Sequence, residues 1–80
     1  VQRYRKIPVE VEAVQYDGTN HHEIAAWSCG SVEYLGHRIL RIRTLEGVMS
    51  CQPPTWVVKG VEGEFYPVKD SVFEATYEPI

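Results

Sequence analysis

Valines and glutamates alternate at the start of the chain: Val9 and Val11 against Glu10 and Glu12. This period of two predicts a half-buried strand over residues 8–16. Ala13, Val14 and Tyr16 break the alternation, so a bulge or bend near Ala13 is expected to return Val14 and Tyr16 to the core side. Asp17-Gly18 has turn chemistry, and Asn20 followed three residues later by Glu23 has the form of a capping box with asparagine as cap. A helix should start there, with Ile24 and Trp27 on one face and Gly30 ending it in a left-handed conformation.

Beyond the helix, turn signals recur every eight to ten residues, the rhythm of antiparallel strands. The predicted strands cover residues 31–35, 38–44, 48–52 and 55–59, separated by turns at Gly36-His37 and Glu46-Gly47 and a rigid corner at Pro53-Pro54. Val32, Tyr34, Leu40 and Ile42 alternate toward the core, and Arg41 and Arg43 point away. Gly60 to Gly63 forms a tight turn that feeds a last strand over 64–68. Proline cannot donate a ladder hydrogen bond, so this strand should stop at Pro67. Phe65 and Tyr66 then face opposite ways, Tyr66 outward. Asp70 is read as the cap of a short helical turn with Val72 and Phe73 inward, and Tyr77 closes against the sheet. The predicted fold is α+β: a small, strongly twisted antiparallel sheet or open barrel of about 5–6 short strands, one helix after the first strand and a short C-terminal helical turn.

The composition fits one ordinary globular domain over residues 1–80, 44% hydrophobic and 24% charged. A chain this short buries only about 60% of its unfolded surface, so the core is thin, and association into a homo-oligomer is the expected supplement. Trp27, Trp56, Phe65 and Phe73 are read as that core. Cys29 and Cys51 fit neither a disulfide framework nor a zinc pattern; free cysteines are expected, with a single bridge as the alternative. Neither a bilayer-length apolar run nor a leader is present in the sequence, so a soluble, cytoplasmic protein without membrane contact is expected.

The net charge of −3 conceals two basic blocks, Arg3, Arg5 and Lys6 as a basic arm and Arg38, Arg41 and Arg43 further on. Strand pairing would either join them into a positive patch or neutralise them against Glu10, Glu12 and Glu33.

Catalytic parts are sparse. His21-His22 are adjacent on a helix and face different directions, unlike an i, i+4 chelating pair. Glu62 and Glu64 flank Gly63 beside a surface turn, where acids are normally solvated. Phosphate-binding loops, a nucleophile elbow and zinc spacing are all missing from the sequence, so no enzymatic activity, cofactor or metal is expected.

Two long stretches carry a resemblance. They are Arg3-Tyr4-Arg5-Lys6-x-Pro8-Val9-Glu10-Val11-Glu12-Ala13-x-Gln15-Tyr16-Asp17-Gly18-Thr19-Asn20 and Gly60-x-x-Gly63-Glu64-Phe65-Tyr66-Pro67-x-Lys69-x-x-x-Phe73-x-x-Thr76-Tyr77-Glu78. With the turn Thr44-Leu45-Glu46-Gly47, they resemble a family of small bacteriophage and prophage proteins. This chain departs from the pattern at Pro54-Thr55, where relatives often carry Gly-Asp, and at Val68, where they often carry cysteine. The resemblance implies expression in a bacterial host cell and assigns no reaction.

A non-catalytic binding protein is therefore expected, docking on a host or phage protein and interfering with a host process such as antiviral defence. Tyr34 and Tyr66 with the arginines would be its anchors. One alternative is a small anionic, nucleotide-like ligand held at a subunit boundary by Arg41, Arg43 or Lys69 against an aromatic face. Another is nucleic-acid binding through the basic arm and the arginine strand, or a minor place in the virion.

Overall fold

The computed structural model describes residues 1–5 and 7–80. Its elements run β1 (Glu12–Tyr16), α1 (His21–Trp27), β2 (Val32–Gly36), β3 (Ile39–Thr44), β4 (Gly47–Cys51), β5 (Thr55–Lys59), β6 (Phe65–Lys69) and α2 (Asp70–Thr76). The α+β class and the antiparallel pairing are as the pattern predicts. The single sheet or open barrel is not: the strands form two three-stranded sheets, ordered β1-β5-β6 and β2-β3-β4.

The division falls at Pro53-Pro54, between β4 and β5. Neither proline has an N–H to give to a ladder, so the meander β2-β3-β4 cannot continue directly into a fourth paired strand. The chain turns the corner and starts the other sheet, where β5 pairs with both β1 and β6. The two sheets then close on each other through Tyr16, Ile24, Val32, Leu40, Ile42, Val57 and Phe65, all buried.

Several local expectations change. The first strand begins only at Glu12, and its register with β5 runs without a bulge from Glu12↔Lys59 to Tyr16↔Thr55. Tyr16 is in the core with Val14 packed beside it, as the pattern requires, but Val9 is exposed, because β5 ends at Lys59 and offers nothing for it to pair with. The last strand passes through Pro67 and reaches Lys69, since β6 is an edge strand and the missing N–H can face outward.

Asn20 occupies the helix N-cap position without a side-chain cap bond. Its Oδ1 instead accepts the Asp17 N–H at 3.2 Å and its Nδ2 donates to the Gln15 carbonyl at 2.8 Å, tying the helix entry back to β1. Helix α1 ends at Trp27 with Ser28 as C-cap, and the left-handed position directly after the cap is taken by Cys29, φ +53°, one residue ahead of the expected Gly30, whose φ is +88°. The buried Ser28 hydroxyl donates to the Ala25 carbonyl and accepts the Val32 N–H, each at 3.1 Å, which fixes where β2 begins.

Asp70 opens α2 but does not cap it. Its carboxylate accepts from Trp56 Nε1 and Gln15 Nε2, both at 2.9 Å, and so fastens α2 to the outer face of β1-β5-β6. Phe73 stacks on Trp56 at 4.0 Å between ring centroids and on Tyr77 at 4.8 Å. These aromatics form a second apolar layer, separate from the main core. Val72, expected inward, is half exposed. Of the four aromatics read as core, Phe65 is in it, Trp27 packs edge-on against Phe65 at 5.1 Å, and Trp56 and Phe73 belong to the second layer.

Candidate functional site

The outer face of the β2-β3-β4 sheet is assembled by register. Glu33 lies opposite Arg41, Arg41 opposite Ser50, and Arg43 opposite Val48, so these side chains share the face turned away from Leu40 and Ile42. Arg41 reaches the Glu33 carboxylate at 2.6 Å and Arg43 reaches its other oxygen at 3.3 Å. One carboxylate thus serves two guanidiniums, leaving the trio with a net positive charge. Opposite charges on neighbouring strands are worth roughly 0.2–1 kcal/mol, so the pairing orients the arginines more than it stabilises the sheet.

Apolar side chains lie nearby: Val48, opposite Arg43, is 64% exposed and Leu45 in the turn after β3 72%, whereas Met49 pairs with Ile42 on the other side of the sheet. Strand β4 is a sheet edge, and its sequence Gly-Val-Met-Ser-Cys carries no charge and no proline. Edge strands usually carry such protection against pairing with another chain. The helices pack elsewhere, α1 against β1 and β2 and α2 against β5 and β6.

The other residues singled out in the sequence do not join this face. Tyr34 lies opposite Leu40, on the other side of β2 from Glu33. Its ring stacks on His21 at 3.9 Å, and its hydroxyl accepts the Arg38 N–H at 3.4 Å. Tyr66 was expected on the surface but is half-buried under α2, its hydroxyl 3.5 Å from that of Tyr77. Burial and that hydrogen bond push its pKa up to about 12. Lys69 is exposed where β6 passes into α2. Arg3 and Arg5 are exposed ahead of β1, and Lys6 lies outside the described residues.

A smaller cavity of about 420 Å³ lies against Gln15, Tyr16, Asp17, Arg38, Pro53 and Pro54. Arg38 is brought there by strain. His37 and Arg38 form the two-residue hairpin loop between β2 and β3, both with positive φ, 53° and 63°. Two-residue loops of this hand demand that conformation and usually fill it with Asn-Gly; non-glycine residues there cost about 1–3 kcal/mol each. The guanidinium crosses over Gly18, where a Cβ would collide with it, and donates to the Asp17 carbonyl at 3.1 Å. Next to it the Tyr16 hydroxyl is buried with no hydrogen-bond partner among the described residues. Burial raises the Tyr16 pKa, Tyr34 adds to the shift, and Arg38 opposes it. The Gly36-His37 turn was legible in the sequence, but nothing in it reveals that Arg38 folds back onto the β1–α1 connection.

Cys29 is exposed and Cys51 half-buried, both free, and burial pushes the Cys51 thiol up to about 11. Glu64 folds over Gly60 and its carboxylate accepts the Glu62 backbone N–H at 3.0 Å, so Glu64 serves the turn rather than pairing with the Glu62 carboxylate. Among the described residues no cluster of three or more His, Cys, Asp or Glu side chains is placed to hold a metal ion, and no helix is long and apolar enough to cross a membrane.

No family model, curated protein or solved structure matches this chain.

Proposed function

We propose that this chain is a non-catalytic binding protein of phage or prophage origin that docks on a bacterial host protein and so interferes with a host process such as antiviral defence. The observation that supports it best is the Glu33-Arg41-Arg43 trio on an uncovered sheet face, beside exposed Val48 and Leu45. Arginine combines a fixed fork of donors with a flat apolar surface, and it recurs among the residues that dominate protein interfaces. A sheet face of this kind suits a protein surface that offers a carboxylate next to an apolar patch. The origin and the process rest on the sequence resemblance alone.

The test is capture from host lysate, identification of the partner, and titration with that partner purified. Replacing Arg41 and Arg43 together by Ala should weaken binding at least tenfold, as loss of a buried arginine anchor does, and should change folding stability by less than about 1 kcal/mol. A double variant that binds as tightly as the original chain removes this face from the reading.

A second reading, capture of a small anion, is favoured by one observation. Arg38 lines the smaller cavity without an ion pair among the described residues. Native mass spectrometry of protein taken from host cells separates the two: an added small-molecule mass that Arg38→Ala abolishes supports the anion.

A further inference from the structure

The outermost strand of a sheet holds main-chain N–H and C=O groups that invite a strand from another chain, and folded proteins block such edges with charge, proline or a bulge. Among the described residues the two sheets end in β1, β6, β2 and β4. All but β4 are blocked. Strand β1 carries the exposed Glu12, β6 carries Pro67 and Lys69, and β2 carries Glu33 and an irregular register between Tyr34 and Gly36. Strand β4 has none of these devices, although its Val48 and Met49 are 64% and 46% exposed.

The register determines which groups β4 presents. Arg43 gives its N–H to the Ser31 carbonyl at 3.0 Å, on the β2 side, so its pair with Val48 is a non-hydrogen-bonded one. Alternation then bonds Met49 to Ile42 and turns the N–H and C=O of Val48 and of Ser50 away from β3, toward the open edge. These groups flank Met49 symmetrically, and β4 is uncharged along its whole length.

We propose that β4 of one copy pairs antiparallel with β4 of a second about a two-fold axis at Met49, joining two three-stranded sheets into one of six strands. Val48 of each copy exchanges main-chain bonds with Ser50 of the other, and Met49 faces Met49. The occupant is a second copy because this edge matches itself: the same groups flank the axis, an exposed methionine meets its twin, and no charge on β4 opposes its counterpart. The net-positive Glu33-Arg41-Arg43 trios lie further in. Their β3 strands stand about 14 Å apart, beyond the ~8 Å screening length at physiological salt. Both trios then lie on one face of the joined sheet, which doubles the docking surface proposed above, although the pairing itself does not depend on that surface. A five-residue strand is a small contact, so a reversible dimer is expected rather than a permanent one.

Sedimentation of the full chain, with no host protein present, should show a monomer–dimer equilibrium at concentrations up to ~1 mM. Ser50→Pro removes an N–H that β3 does not use, at a sheet edge where proline is tolerated. It should leave the circular dichroism unchanged while weakening dimerisation at least about tenfold, through the lost bonds and the clash of the ring with the facing carbonyl. In a Cys29→Ser background, Met49→Cys should form an intermolecular disulfide on mild oxidation that the background chain lacks, because a non-hydrogen-bonded antiparallel pair sets its Cα atoms about 4.5 Å apart. If Ser50→Pro does not fold, the Met49→Cys cross-link decides. A chain that stays monomeric up to ~1 mM, a folded Ser50→Pro variant that dimerises as tightly as the original, or absence of the cross-link would each overturn the proposal.

Discussion

Asp70 and Asn20 are residues whose type is right for a helix start and whose side chains do something else. An acid or amide at such a position can bond the nearby N–H or a donor brought by the fold, and only the first choice is visible in sequence. Asp70 takes Trp56 and Gln15, and Asn20 takes the Asp17 and Gln15 backbone. Asp17 makes the local choice, accepting from the Thr19 hydroxyl at 2.7 Å and the Thr19 N–H at 2.8 Å, and these bonds lower its pKa. A carboxylate whose folded pKa is depressed adds stability above its unfolded value, about 3.9, and loses it as the pH falls through the folded one. Thr19→Val removes the hydroxyl donor, and its stability deficit, measured by urea unfolding, should be present at neutral pH and vanish toward pH ~2.

At the scale of elements, β2 through β5 were located within a residue or two: β2, β3 and β5 by apolar positions that pack on the core, and β4, almost wholly exposed, by the turns at its ends. The missed boundaries are those of β1 and β6, which are set by where a partner strand ends and by which edge faces water, and a local pattern holds neither. Helix α2 has seven residues and no side-chain cap, too short to persist alone. Its place depends on Phe73 and Tyr77 stacked above Trp56. Phe73→Ala should therefore release α2 at a cost near the lower end of the ~3–5 kcal/mol typical of buried phenylalanine. In hydrogen exchange the α2 amides should lose protection while those of β3 keep theirs; equal loss in both would mean that α2 is integral to the core.

For the whole molecule, α+β character and antiparallel pairing were legible, and the splitting into two sheets was not. Pro53-Pro54 was read as a corner, but whether the chain after a corner rejoins the same sheet depends on long-range pairing, here of β5 with β1, some forty residues earlier. The candidate site was legible in the same partial way: alternation placed Arg41 and Arg43 together with Tyr34 on the opposite side, and only the fold separates Tyr66 and Lys69 from them. The sheets share one core, so neither should survive without the other. Ile42 is fully buried between them, and Ile42→Ala should cost about 2–5 kcal/mol, a large part of the ~5–15 kcal/mol available to a domain. Unfolding followed by circular dichroism and by fluorescence should stay a single coincident transition at a lower midpoint; two separated transitions would show that the sheets fold independently. The two tryptophans happen to be divided between the layers, Trp27 against Phe65 of the main core and Trp56 beneath Phe73. Each layer therefore carries its own intrinsic fluorophore, and replacing one indole by phenylalanine turns the chain into an optical clock for the other.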